Sequence, residues 1–144
     1  MKILVQRCDR ASVTVDNKIV GKIDKGMMIL VGFTQIDNSE NIDYMVDKVL
    51  NLRIYDDEAG VMNKSILDTG GSILSVSQFT LYADSRKGRR PSYVNALNGE
   101  KAIHLYNEFN EKLKKHIHVE TGIFGAEMKV ELINDGPVTI MLEK

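Results

Sequence analysis

Residues 3–33, ILVQRCDRASVTVDNKIVGKIDKGMMILVGF, alternate apolar and polar side chains in short runs separated by turn signals. A period of two sends successive side chains to opposite faces, which is the pattern of half-buried strands. Ile3 to Arg7, Ala11 to Val15, Ile19 to Ile23 and Met27 to Phe33 therefore read as four antiparallel strands, the last opened by Lys25-Gly26. Downstream, the period changes. Asp37 followed by Glu40 resembles a capping box, and Ile42, Met45, Val46, Val49 and Leu50 recur at helical spacing, predicting a helix from about Ser39 to Asn51. Leu52 to Tyr55 reads as a short strand, and Gly70-Gly71 opens another from Ser72 to Phe79. A polar loop from Ala83 to about Leu97 leads to a second amphipathic helix, Gly99 to Lys115, on Ala102, Leu105, Tyr106, Phe109 and Leu113. Strands near His118 to Thr121, Glu127 to Ile133 and Val138 to Leu142 close the chain.

The 144 residues contain no linker, repeat or low-complexity stretch, so residues 1–144 are read as one domain. Runs of short strands with two added helices predict an α+β fold, mainly antiparallel strands forming a barrel or strongly bent sheet with two flanking helices. The strands do not alternate regularly with helices, which disfavours a doubly wound parallel sheet.

Nineteen Lys and Arg against twenty Asp and Glu give a formal net charge of −1, so any nucleic-acid binding has to come from a local patch. The single cysteine, Cys8, allows no internal disulfide and fits a reducing compartment. His104, His116 and His118 lack a third ligand nearby, and no metal site or cofactor is expected. No apolar run approaches the ~18 residues of a membrane span, and a cytoplasmic protein is expected.

Three segments carry chemistry. Gly136-Pro137 interrupts an otherwise apolar strand pattern; proline cannot donate to a ladder, so the step is either a trans turn joining two strands or a backbone shaped for a purpose, with a cis bond open. Ser77-Gln78-Phe79-Thr80 ends a strand in hydroxyls and an amide, either bonding nearby backbone or facing a pocket. Arg86, Lys87, Arg89 and Arg90 set four cations in five positions, either solvated charge or a phosphate contact with Tyr82 or Tyr93 stacking on a base. No GxSxG elbow, phosphate-cradling glycine loop or HExxH pattern is present.

Taken in order, Val5-Gln6-Arg7, Ala11-Ser12-Val13-Thr14-Val15, Asn51-Leu52-Arg53-Ile54-Tyr55, Leu74 to Asp84, Arg86 to Ser92, Thr121 to Met128 and Asn134-Asp135-Gly136-Pro137-Val138-Thr139 resemble the D-aminoacyl-tRNA deacylase family through nearly the whole chain. The resemblance implies hydrolysis of the ester joining a D-amino acid, or misattached glycine, to the terminal adenosine of tRNA, without a metal. It further implies a homodimer whose active site lies at the subunit interface, where a cis Gly136-Pro137 step from one subunit enters the site of the other and selects chirality, with Arg7 holding that element. Ser77, Gln78, Phe79 and Thr80 would line the site, while Phe124 and Met128 either pack on the adenine or the inserted loop or fill an ordinary core position. For a tRNA substrate, the basic run Arg86, Lys87, Arg89 and Arg90 is the candidate contact, with solvated charge as the other reading. Glu127 departs from the aspartate commoner in the family, and the Asn95 to Glu100 stretch lacks prolines often found there.

Overall fold

One strand organises the molecule. In a computed structural model that describes residues 1–144, β1 (Lys2–Val15) is continuous and pairs along both edges. One edge carries β3 (Gly26–Gly32) opposite Lys2 to Cys8 and β2 (Lys18–Ile23) opposite Ala11 to Val15; the other carries β8 (Lys129–Glu143) along almost its whole length. Asp16 and Asn17, both at positive φ, turn β1 into β2, a conformation that Asp and Asn tolerate better than bulkier residues. The sheet continues from β3 to β6 (Ser72–Ser77) and β7 (Val119–Thr121), both added in parallel. It curls until β2 lies beside β7, so close that a Cβ on Gly21 would stand 2.7 Å from the Thr121 carbonyl oxygen.

The pleat of β3 divides the core. Met27, Ile29 and Val31 face a helical layer made by α1 (Ser39–Asn51) and α3 (Gly99–Lys114), where they meet Ile42, Met45 and Val49 of α1 and Phe109 and Leu113 of α3. Met28 faces the other way, into a second cluster with Val13, Ile23, Leu74 and Val76 inside the curled sheet. Each fully buried side chain of this size stabilises the fold by about 1.5–3 kcal/mol. β1 joins the two clusters: Ile3 and Val5 belong to the first, Cys8, Ala11 and Val13 to the second, and the change of face coincides with breaks in its register against β8.

The structure corrects several expectations. The sheet is mixed rather than mainly antiparallel, because β3, β6 and β7 run parallel through crossovers that the local sequence pattern does not reveal. There are three helices, not two: α2 (Ile66–Thr69) is a single turn, capped by Ser65, too short to show a period. The predicted first two strands are the two halves of β1, and the last two predicted strands are the two halves of β8. Leu52 to Ile54 are irregular; the short strand there is β4 (Tyr55–Asp56), paired with β5 (Met62–Lys64). α1 begins where expected, but Asn38 is its cap, accepting from Glu40 and Asn41 N–H at 3.0 and 3.1 Å while Asn41 accepts from Asn38 N–H at 3.2 Å. Asp37 instead accepts from Thr34 N–H at 2.8 Å and pairs with the Met1 ammonium at 2.6 Å.

Gly26 sits where β3 touches both β1 and β6, and a Cβ there would lie 1.8 Å from the Ser72 carbonyl oxygen. The overlap is with backbone, which yields only by parting the ladder. Gly26→Ala is expected to destabilise the fold by about 1–3 kcal/mol or more, read from the midpoint shift in urea denaturation.

Candidate active site

β6 stops pairing at its C-terminal end, and the reason lies in β3. Gln78 N–H still donates to the Val31 carbonyl at 2.7 Å, but the chain then leaves the sheet in a 3-10 turn, Phe79–Tyr82. Gly32 makes this exit possible: a Cβ there would meet the Gln78 carbonyl oxygen at 2.8 Å and Leu81 Cβ at 3.2 Å. The first N–H groups of a helical turn have no partner within it, and the Gln78 side chain does not cap this one. It donates to the Thr80 hydroxyl instead.

A cavity of about 430 Å³ opens at this point, between the ends of β3 and β6, the start of α3 and the segment before β8. Ser77, Gln78 and Phe79 form one wall and Phe124 and Met128 another, so five of the residues picked out in the sequence share one cavity. Thr80 stands beside it, tied to Gln78. Phe124 packs on Tyr106 with ring centroids 5.7 Å apart, and Tyr106 is fixed by donating its hydroxyl to the Ser75 carbonyl at 2.8 Å. Burial pushes the Tyr106 phenol up, so it remains a donor. No residue lining the cavity is ionisable. Sequence reading missed Gly32, Tyr106 and Ala126; only Gly32, a glycine ending an apolar strand, left a visible signal.

Arg7, Gly136 and Pro137 are not in this cavity. Asn134 pairs with Cys8 and Thr139 with Gln6, so β8 spends Asp135, Gly136, Pro137 and Val138 opposite Arg7 alone, and the excess projects as a bulge. The Gly136-Pro137 bond is cis, Gly136 has φ +113°, and both residues are exposed. Asn134 staples the base: its amide donates to the carbonyls of Arg7 and Val138, each at 3.0 Å, and its oxygen accepts from Gln6 and Thr139, each at 3.2 Å. Arg7, only 9% exposed, donates to the Ile54 carbonyl at 2.7 Å and pairs with Asp135 at 2.9 Å and Asp56 at 3.7 Å. Arg7, Asp56 and Asp135 line a second pocket of about 460 Å³ together with Cys8 and Tyr55. Gly136 stands six positions along β8 from Val130, which lines the first cavity, or ~20 Å of extended strand.

The cationic segment forms the tip of a loop pinched by the Asp84–Ser92 bridge. Arg86 is folded back on Asp84, with contacts of 2.9 and 2.6 Å that hold the Asp84 carboxyl well below its usual range. Lys87, Arg89 and Arg90 are exposed and have no acidic partner. Tyr82 does not face this loop; it lies under the Lys2 ammonium, 4.9 Å from the ring centre. Tyr93 does flank the cavity, edge-to-face with Phe79 at 5.1 Å. His104, His116 and His118 are exposed, and no group of three metal-ligating side chains is assembled.

The family described as D-Tyr-tRNA(Tyr) deacylase matches residues 4–143 of this chain. The D-aminoacyl-tRNA deacylase of Clostridium kluyveri is 56% identical over 144 residues, covering 99% of this chain and 97% of that protein. Its counterpart from Bacillus velezensis is 54% identical, covering 99% and 98%. Among solved structures, the c-Myc DNA unwinding element binding protein superposes with a TM-score of 0.95 at 43% identity, covering 100% of this chain and 99% of that one. A probable eukaryotic D-amino acid tRNA deacylase superposes with a TM-score of 0.85 at 18% identity, covering 98% and 97%, a likeness of fold. The chain belongs to the D-Tyr-tRNA(Tyr) deacylase family.

Cys8, in the second pocket, tests the burial assigned to that region. Burial pushes its thiol up to about 11. The folded state keeps the proton where the unfolded chain has lost it, so this thiol's contribution to stability is present below pH ~8.5 and is lost as pH rises towards 11. Alkylation by iodoacetamide at pH 8 is expected to be at least about a hundredfold slower in the folded protein than in urea, as followed by intact mass.

Proposed function

We propose that this member of the D-Tyr-tRNA(Tyr) deacylase family hydrolyses the ester between a D-amino acid and the terminal adenosine of tRNA, at the cavity where β6 ends. The activity rests on the family and on relatives named D-aminoacyl-tRNA deacylase. The observation that carries the mechanism is a cavity lined by no ionisable side chain, beside a turn whose leading N–H groups are free of intraturn partners. An enclosure of this kind stabilises developing charge with main-chain dipoles rather than with a side-chain base.

In this reading the adenosine lies between Ser77–Phe79 and the Phe124–Met128 wall, and the ester carbonyl points at the N–H groups of Phe79 and Thr80. Water attacks the carbonyl carbon, its proton passing by way of the vicinal 2′-hydroxyl. The tetrahedral intermediate collapses, the bond from carbon to the 3′-oxygen breaks, and that oxygen leaves protonated. Gln78 holds the Thr80 hydroxyl in place through its amide. Glycyl-tRNA is a substrate as well, since glycine has no side chain to exclude.

Selection against L-amino acids is assigned to Gly136 and Pro137 of a second subunit, whose carbonyls receive the substrate ammonium. Main-chain atoms then occupy the space that an L side chain needs, and a D side chain points outward. The exposure of the bulge and its distance from the cavity within one chain support this reading, as do the exposed apolar residues Ile133 and Met141 on β8. The protein accordingly works as a homodimer with its site at the interface, in the cytoplasm where aminoacyl-tRNA is handled; no helix is long and apolar enough to cross a membrane. Lys87, Arg89 and Arg90 neutralise tRNA phosphates, with Arg86 held by Asp84 at the base of the loop.

Incubation with D-tyrosyl-tRNA and L-tyrosyl-tRNA is expected to release tyrosine from the first only. Release from neither contradicts the activity, and release from both contradicts the chiral selection. Thr80→Ala is expected to keep turnover within about tenfold, whereas a terminal 2′-deoxyadenosine lowers it by about 10²–10⁴. The opposite pattern makes the Thr80 hydroxyl a covalent nucleophile.

A further inference from the structure

Phe79 is 56% exposed and Tyr93 is 43% exposed, with ring centroids 5.1 Å apart and planes at 67°. In an edge-to-face pair, the ring presenting its edge has both faces uncovered by its partner. Val94, next in sequence, is exposed as well. This surface is held in place on a fastened backbone. Leu97 N–H donates to the Phe33 carbonyl at 2.9 Å, the Thr34 hydroxyl to the Asn95 carbonyl at 2.7 Å, and Ala96 N–H to the Tyr93 carbonyl at 3.0 Å. Asp84 and Ser92 exchange backbone hydrogen bonds of 2.8 and 2.9 Å on the other side of Tyr93. A rigid, exposed aromatic step thus lies between the cavity and the tip carrying Lys87, Arg89 and Arg90.

We infer that Tyr93, backed by Phe79, is a stacking platform for the base of the nucleotide preceding the terminal adenosine, and that the cationic tip receives the phosphates that follow. The inference rests on the deacylase reading for which adenosine fills the cavity. Chemistry on the page favours a single-stranded nucleic acid over a protein partner: an aromatic face accepts any base, and the adjoining loop offers three unpaired cations on a chain of net charge −1. Order along the surface agrees, since a strand leaving the cavity past Phe79 meets Tyr93 before it reaches the tip.

The test compares binding of a labelled uncharged ACCA oligonucleotide, by fluorescence anisotropy, with the kcat/KM ratio for D-tyrosyl-tRNA over 2′(3′)-O-D-tyrosyl-adenosine. Tyr93→Ala is expected to weaken oligonucleotide binding roughly ten- to hundredfold and to lower the kcat/KM ratio by a similar factor, while Tyr93→Phe retains wild-type values because the ring, not the hydroxyl, is used. Charge reversal at Lys87, Arg89 and Arg90 is expected to lower the same ratio and flatten its salt dependence. Unaltered binding by Tyr93→Ala, equal losses on both substrates, or a changed sedimentation coefficient that marks Tyr93 as a subunit contact would each overturn the platform. A wild-type protein that binds the oligonucleotide through Tyr93 but cleaves neither ester would leave the platform standing and remove the deacylase reading.

Discussion

A single mismatch of length shapes the bulge of β8: Arg7 of β1 stands opposite four residues of that strand. Because β1 is bonded on both edges it cannot lengthen or tilt to absorb the difference, so the surplus is extruded as a bulge bearing Gly136 and Pro137. The guanidinium of Arg7 fills the gap left beneath, and a charge so deeply buried is tolerated only with its partners in place. Those partners are the Ile54 carbonyl, just beyond α1, and the carboxylates of Asp135 and Asp56. The bulge is thereby tied to the helical layer as well as to the sheet. Asn134 closes it with all its hydrogen-bonding capacity engaged across the neck.

The cavity has an equally local origin. Gly32 lets the chain after β6 turn sharply over the end of β3, which sets the start of the 3-10 turn beside a space walled by Phe79, Phe124 and Met128. Main-chain donors keep one protonation state, so such a site needs no titrating group to bind charge. The bulge and the cavity lie on different parts of one chain, with neither Gly136 nor Pro137 lining the cavity. In the proposed mechanism a second copy brings them together, which links chirality, catalysis and assembly.

Much of this was legible in the sequence, and the failures have physical causes. Period-two and period-3.6 patterns located α1 and α3 within a residue at each end, because both helices carry a full apolar stripe. Strand ends were less secure. The bulged neck at Asn134–Val138 breaks the alternation of β8, so one strand read as two, and the change of buried face near Cys8 did the same to β1. Parallel placement of β6 and β7 depends on crossover packing, which no local pattern encodes. Residues of the candidate site drew notice where they were unusual for their element, as with Pro137 in a strand and Ser77 to Thr80 at a strand end. Asn134 drew no separate notice, for its importance lies in four partners that only the folded chain brings together. The cationic run was legible as charge, but not that Asp84 neutralises Arg86.

Complementation between subunits tests the central claim most directly. Gly136→Phe blocks the bulge and leaves the cavity intact; Ala126→Trp fills the cavity and leaves the bulge intact. Each homodimer is expected to be inactive on D-tyrosyl-tRNA. Co-refolded in equal amounts, half of the dimers are mixed and each mixed dimer has one intact bulge facing one intact cavity, so the account predicts recovery of roughly a quarter of wild-type activity, by the additivity of independent sites. Mixed dimers that form but remain inactive would contradict it.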